Sequence, residues 1–142
     1  MQQAITGQQT LADGTYTVKT VLYKDAACTE TSMGNKGMVD SVLTISNNGQ
    51  NVEFLFKTKR FTYLFMDGWL SSMSLDNVSG THEMKKVDGI EYHNFKFTNT
   101  LPLSFFEVGK VSSGQFSMNI ITDDNPKVKT GYLKITDITR NN

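Results

Sequence analysis

Cysteine is almost missing from this 142-residue chain: Cys28 stands alone, so no internal disulfide can form, and no Cys/His spacing matches a zinc site. Cys28 itself reads as a small, partly buried residue. Histidine is nearly as scarce. His82 and His93 are the only two, and neither falls in a Ser-His-Asp or Cys-His arrangement. No phosphate-cradling glycine loop precedes a helical stretch. Excess charge is missing as well, since 14 basic residues balance 14 acidic ones, which argues against a nucleic-acid-binding domain. No apolar run approaches the roughly 20 residues of a membrane span, which implies a soluble chain. The opening Met-Gln-Gln-Ala-Ile-Thr-Gly has no secretory-signal pattern and reads as the edge of a fragment.

Helical periodicity is the next absence. No segment of ten or more residues repeats its apolar positions at 3.6, whereas alternation at period 2 recurs throughout. Tyr16, Val18 and Leu22 alternate with Thr15, Thr17 and Lys19. Residues 41–46 and 51–57 form a strand pair around Asn47-Asn48-Gly49-Gln50, whose Asn-Gly supplies the positive φ angles of a tight hairpin. Residues 60–65 extend as an aromatic strand that stops at Met66-Asp67-Gly68. Residues 69–75 follow, with Trp69, Ser71, Met73 and Leu75 on one parity. Residues 77–80 read as a loop, and 81–87 and 90–98 as a second hairpin around Asp88-Gly89. Leu101-Pro102-Leu103 passes over a sheet edge, because proline cannot donate to a ladder. Phe116, Met118 and Ile120 share one side of residues 114–122, Asp123 to Pro126 turn the chain, and residues 127–137 close it.

The expected fold class is all-β: an immunoglobulin-like two-sheet sandwich of about eight strands with one short helix after the first. One domain spans residues 11–138. Residues 1–10 read as a disordered lead-in or fragment edge, and 139–142 as a tail. A chain of this length buries about two thirds of its unfolded surface.

One stretch stands out. Residues 31–40, Thr-Ser-Met-Gly-Asn-Lys-Gly-Met-Val-Asp, form a glycine-loosened lip of soft and polar side chains between two strands. The other candidates are weaker. Asp123 and Asp124 are adjacent, so on a strand they point opposite ways and read as turn residues before Asn125-Pro126. His82 and His93 are spaced to face each other across the second hairpin, as cross-strand polar residues or as a metal pair.

The order Leu-Ala-Asp-Gly-Thr-Tyr-Thr-Val (11–18), Ser-Met-Gly-Asn (32–35), Val-Leu-Thr-Ile, Asn-Asn-Gly and an aromatic strand resembles the NEAT (near-iron-transporter) domains of Gram-positive surface proteins. The resemblance runs from Leu11 to about Asp137, tightest over the first fifty residues. It implies haem (iron protoporphyrin IX) as cofactor. It also implies an extracellular or cell-wall location, and a non-catalytic role in capturing haem and passing it on, with haemoglobin and other NEAT domains as partners. By the same resemblance Ser32 bonds a haem propionate and Met33 lies over the iron. The family's Tyr-x-x-x-Tyr motif on the last strand is absent. One alignment puts Lys127 and Gly131 at its two positions, and a shift by one puts Val128 and Tyr132 there. Streptococcal haem receptors of this family use non-tyrosine ligation, which leaves Met33 above and Lys127 below as implied iron ligands, with Lys36, Met38 and Met118 in reserve. Ile120 and Tyr132 complete the implied cofactor contacts, alongside Phe116, Leu133 and Ile135 as apolar walls. Core filling is the competing assignment for Met73 and Met118.

Two other functions fit the same fold. One is a haemoglobin- or protein-binding adhesion module without haem, which would use an aromatic surface such as residues 65–69. The other is a carbohydrate-binding sandwich, motivated by Trp69 and the tyrosines.

Overall fold

The computed structural model describes the backbone of residues 11–120 and 123–141, and the side chains of these residues except Tyr63 and 123–127. The lead-in at residues 1–10 therefore lies outside the described residues. Ten strands form: β1 (Gly14–Tyr23), β2 (Ser41–Ser46), β3 (Asn51–Lys59), β4 (Phe61–Tyr63), β5 (Met66–Leu75), β6 (Val78–Ser79), β7 (Thr81–Val87), β8 (Ile90–Thr98), β9 (Val111–Ile120) and β10 (Asp123–Asn141). All pairings are antiparallel, in the order β4-β5-β9-β10-β1-β2-β3-β8-β7, with β6 beside β5.

This single hydrogen-bonded sheet curls into two layers, because β1 and β10 serve both. Gly14–Val18 of β1 pair with β2, and beyond a bulge at Lys19/Thr20 the strand runs on beside β10. Alternation decides what lies between the layers. Phe54, Phe56, Phe95 and Phe97 face inward from β3 and β8, meeting Leu70, Met73, Leu75, Phe116 and Met118 from β5 and β9. The rings interlock, with the Phe54 centroid 6.1 Å from Phe97 and 5.0 Å from Phe106. Fully burying such a ring contributes up to about 3 kcal/mol. Phe106 belongs to the connection after β8, where Leu101, Phe105 and Phe106 are all buried and lid one end of the core. The result is the expected immunoglobulin-like two-layer sandwich. Its short helix after the first strand is a 3₁₀ turn, Met33–Gly37.

The motif at residues 11–18 has a structural reason. Leu11 plugs the core at 3% exposure, and the Tyr16 hydroxyl donates to the Ala12 carbonyl at 2.6 Å. The Asp13 carboxylate accepts from the Asn48 and Gly49 amides, each at 2.9 Å, tying the entry segment to the β2–β3 turn.

Several boundaries differ from the sequence reading. The aromatic strand ends at Tyr63, Met66 begins β5, and Leu64 and Phe65 make the turn with φ of 50° and 66°. A bulge between Leu70 and Ser72 breaks the shared parity of Trp69 and Met73: Met73 is buried and Trp69 is half-buried on the other alternation. Residues 78–79 are a short strand, not loop, because Asp76 and Asn77 make the turn. β10 already begins at Asp123, with its irregularity between Asp123 and Lys127, around a proline that has no N–H for the ladder. Residues 139–141 are strand as well as tail: Thr139 pairs with Thr17 and Asn141 with Thr15.

The Leu64-Phe65 turn is peculiar. In the other strand-to-strand turns the left-handed positions fall to Asp76-Asn77, Asp88-Gly89 and Asn47-Asn48-Gly49, residues suited to positive φ. Here two apolar side chains occupy it, 68% and 102% exposed. Replacing them with Leu64→Asn and Phe65→Gly should therefore raise stability by about 1–2 kcal/mol in a denaturant titration. A fall would mean that the two side chains hold the fold.

Candidate functional site

The lip is built from both ends. At its start the Ser32 amide donates to the Leu22 carbonyl at 2.9 Å, and the Leu22 amide donates to Asn35 Oδ1 at 3.0 Å. Ser32 caps the 3₁₀ turn, its Oγ accepting from the Gly34 amide at 3.2 Å. At the far end the Met38 amide donates to the Asn35 carbonyl, and Met38 bridges to Thr58 of β3. The lip thus spans from β1 to β3 over the open edge between the layers.

Its glycines do the opposite of loosening it. A Cβ on Gly34 would come 3.1 Å from Met118 Sδ and 3.3 Å from Leu22 Cδ2 and Leu70 Cδ1. A Cβ on Gly37 would come 2.6 Å from the Lys59 carbonyl oxygen. Absent side chains let the turn's backbone press directly onto the sheet.

Among the sequence candidates, Ser32 and Met33 are half-buried at the start of the lip, with Met33 packed on the core. Met118 is buried at 3%, directly beneath Gly34, and Ile120 is half-buried two residues further along β9. Of these, Met118 is the one in close approach to the lip's backbone, at Gly34. Lys36 is exposed at the end of the turn. Met38 lies past the turn, where its sulfur accepts from Thr20 Oγ1 at 3.9 Å. Residue 127 pairs with Met118 in the strand register, but the Lys127 side chain lies outside the described residues, as do those of Asp123 and Asp124. On β10, Gly131, Leu133 and Ile135 are buried, while Val128, 63% exposed, and Tyr132 occupy the other alternation. The structure therefore does not bring Tyr132 to the lip's underside. Gly131 does face inward, where a Cβ would meet Phe116 Cδ1 at 2.8 Å. Phe116 fills that space, a contact that alternation alone does not reveal.

Electrostatics separates the lip from the rest. The loop before it is held by Asp25, whose carboxylate accepts from the Thr29 hydroxyl and from the Thr29 and Glu30 amides. The Thr29 bond is the main reason that Asp25 stays below the usual carboxylate range. Cys28 is half-buried in this loop at φ 58°. A second polar group lies on the β7–β8 hairpin, where His82 and His93 touch and Glu91 contacts His93. Among the described residues no group of three or more His, Cys, Asp or Glu is placed to hold a metal ion. Beside it a cleft of about 590 Å³ is lined by Lys59, Arg60, Asp67, Lys86 and Glu91. Arg60 there contacts both Asp67 and Glu91 at 3.4 Å, and it lies 5.0 Å over the Trp69 ring. Trp69 also stacks on His93, so its ring is engaged within the fold and offers a sugar little.

No family model matches the sequence, and no curated protein is detectably similar to it. Solved structures are similar in shape. The Q29T mutant of IsdX2-NEAT5 in complex with heme superposes with a TM-score of 0.62 at 13% identity, over 88% of this chain and 96% of that one. The NEAT5 domain of IsdX2, a B. anthracis hemophore, also in complex with heme, gives 0.60 at 12% identity over 87% and 95%. At such identity the likeness is one of architecture, spanning nearly the whole of both chains: this chain has the fold of a NEAT domain.

Proposed function

We propose that the protein binds haem at a bacterial cell surface, using the lip and the β9–β10 hairpin, and hands it on without chemical change. The observation that carries this reading is the lip, its turn starting at Ser32 and Met33 and its Gly34 pressed onto Met118, in a fold like that of two NEAT5 structures in complex with heme. The residues fit the group. Ser32 Oγ accepts the Gly34 amide, which leaves its own proton free to donate to a propionate. The half-buried Met33 and Ile120 would supply apolar surface, with Leu22, Leu70 and Met118 buried beneath the lip.

Met33 would offer a soft thioether to the iron, and Lys127 an amine from the other side. A lysine does so only after losing a proton, from a reference pKa of about 10.4, so such ligation strengthens as pH rises. Lys36, exposed at the end of the turn, would pair with a second propionate. Haem captured from haemoproteins and relayed to another NEAT domain is the role that follows.

A hemin titration followed by the Soret band tests the reading. Saturable 1:1 binding is expected, and Met33→Ala should shift the band while altering stability by about 1 kcal/mol or less, since the side chain is only half-buried. Absence of a saturable spectrum overturns haem binding. An unchanged spectrum in Met33→Ala overturns only the ligand. Loss of the pH trend in Lys127→Ala would support the second ligand.

One observation favours a second reading, a haemoglobin- or protein-binding module without haem: Phe65 stands fully exposed at the β4–β5 tip. That version predicts colourless protein from haem-producing cells that still retains haemoglobin.

A further inference from the structure

The two histidines of the chain lie on the two strands of one hairpin, and the fold puts them in contact. The register pairs His82 with Phe95 and Met84 with His93, so the histidines are diagonal neighbours on one face. Their rings are nearly coplanar, 4° apart, with His82 Nε2 2.9 Å from His93 Nδ1. The other nitrogen of His93, Nε2, lies 2.6 Å from Glu91 Oε2. His93 is 4% exposed and stacks on Trp69 of β5, in the opposite layer, at 6.0 Å. Its carbonyl accepts from Thr58 Oγ1 at 2.6 Å. The charged groups around the chain of rings are Glu91 on β8, Lys86 opposite it on β7, Arg60 after β3 at 3.4 Å from Glu91, and Asp67 on β5 at 3.4 Å from Arg60.

Proton counting restricts this arrangement. With Glu91 ionised, His93 Nε2 carries a hydrogen and donates to it. Neutral His93 then has a bare Nδ1, which accepts from His82 Nε2–H. A first added proton goes to His82 Nδ1, and every bond survives. Equivalently, the shared hydrogen crosses to His93 Nδ1 and the charge lies beside Glu91. A second proton has only one site left, on the ring nitrogen already used as acceptor. Two N–H groups would then point at each other between two cations.

We propose that Glu91, His93 and His82 form a pH-sensitive clasp between the β7–β8 hairpin and the opposite layer, one that keeps its ring-to-ring hydrogen bond with one added proton and opens with two. Burial first, and His93 second, hold His82 below the ordinary imidazole value of 6.5. The His93 hydrogen bond holds Glu91 below its ordinary 4.5. Both shifts are downward, so the unfolded chain binds more protons than the folded one. Stability from the clasp is therefore complete above about pH 6.5, declines as His82 takes up its proton below that, and declines again below about pH 4.5.

With only two histidines, ring-proton NMR follows both directly, and Trp69, the single tryptophan, reports the opposite layer by fluorescence. The clasp predicts that one titration step moves both rings together. A second step lies at least about one pH unit lower and coincides with the change in Trp69 emission. In His82→Ala, and in His82→Gln, whose amide turns to donate or accept, His93 should titrate in a single step at higher pH than the wild type's second step. His82 is exposed, so both variants should fold, which circular dichroism checks. Two independent single-step titrations in the wild type, or a His93 titration unchanged in both variants, overturn the proposal. Glu91→Gln adds a third arm: loss of the joint first step supports the relay, and its persistence overturns Glu91's part in it.

Discussion

Gly114→Ala should destabilise the protein by about 3 kcal/mol, at the upper end of what one added methyl does to a packed interior. Gly114 lies in β9, between β5 and β10, opposite Leu75 on one side and Gly131 on the other. A Cβ there is driven onto the Ser74 carbonyl oxygen and to 3.2 Å from Phe116 Cε1. The oxygen belongs to backbone and cannot rotate away. Making room requires β5 and β9 to separate, which breaks ladder hydrogen bonds in a central pairing. Gly49 and Gly89, with nothing within 4 Å of the added carbon, provide the comparison: substitution there meets only the strain of positive φ. Chemical denaturation of the three variants is the measurement. A loss under about 1 kcal/mol at Gly114 would show that the strands part more easily than their pairing implies.

Phe116→Ala should cost about 3–5 kcal/mol, because the ring is 1% exposed and, with Leu22, fills the space beside Gly131. The pair should also be strongly non-additive. Gly131→Ala alone brings a methyl to 2.8 Å from Phe116 Cδ1, an overpacked contact. Once the ring is gone only Leu22 Cδ1, at 3.1 Å, still crowds the methyl, so the double variant should be more stable than the sum of the singles by at least about 0.5 kcal/mol. Additivity would mean that the neighbourhood relaxes independently of either residue. The pair also bears on the proposed haem site, since Gly131 stands where the family motif, in one alignment, has a tyrosine.

The proposed site was only partly legible. Met118 does lie under the lip at Gly34, because strand alternation turns it inward beneath one short connection. Met38 and Tyr132 do not join it: Met38 lies past the turn against Thr20, and Tyr132 falls on the other alternation from Gly131. The lip's glycines were readable as glycines but not as close contacts, because closeness depends on Lys59, Leu70 and Met118 arriving from other strands. The histidine pair was readable as a facing pair across Asp88-Gly89. Glu91, two residues away on the same alternation, completes it, and Trp69 stacks on His93 from the opposite layer.

The sequence by itself determined what is local in cause. Period-2 alternation and the absence of helical repeats dictated an all-β chain, and Asn-Gly and Asp-Gly, which accept positive φ cheaply, located two hairpins. Tertiary structure alone decided that one sheet curls into two layers at the β1 bulge, that Leu64-Phe65 turns despite its composition, and that Phe116 lies over Gly131. Each of these depends on pairing between segments far apart along the chain, where packing and ladder hydrogen bonds outweigh the preference of any single residue.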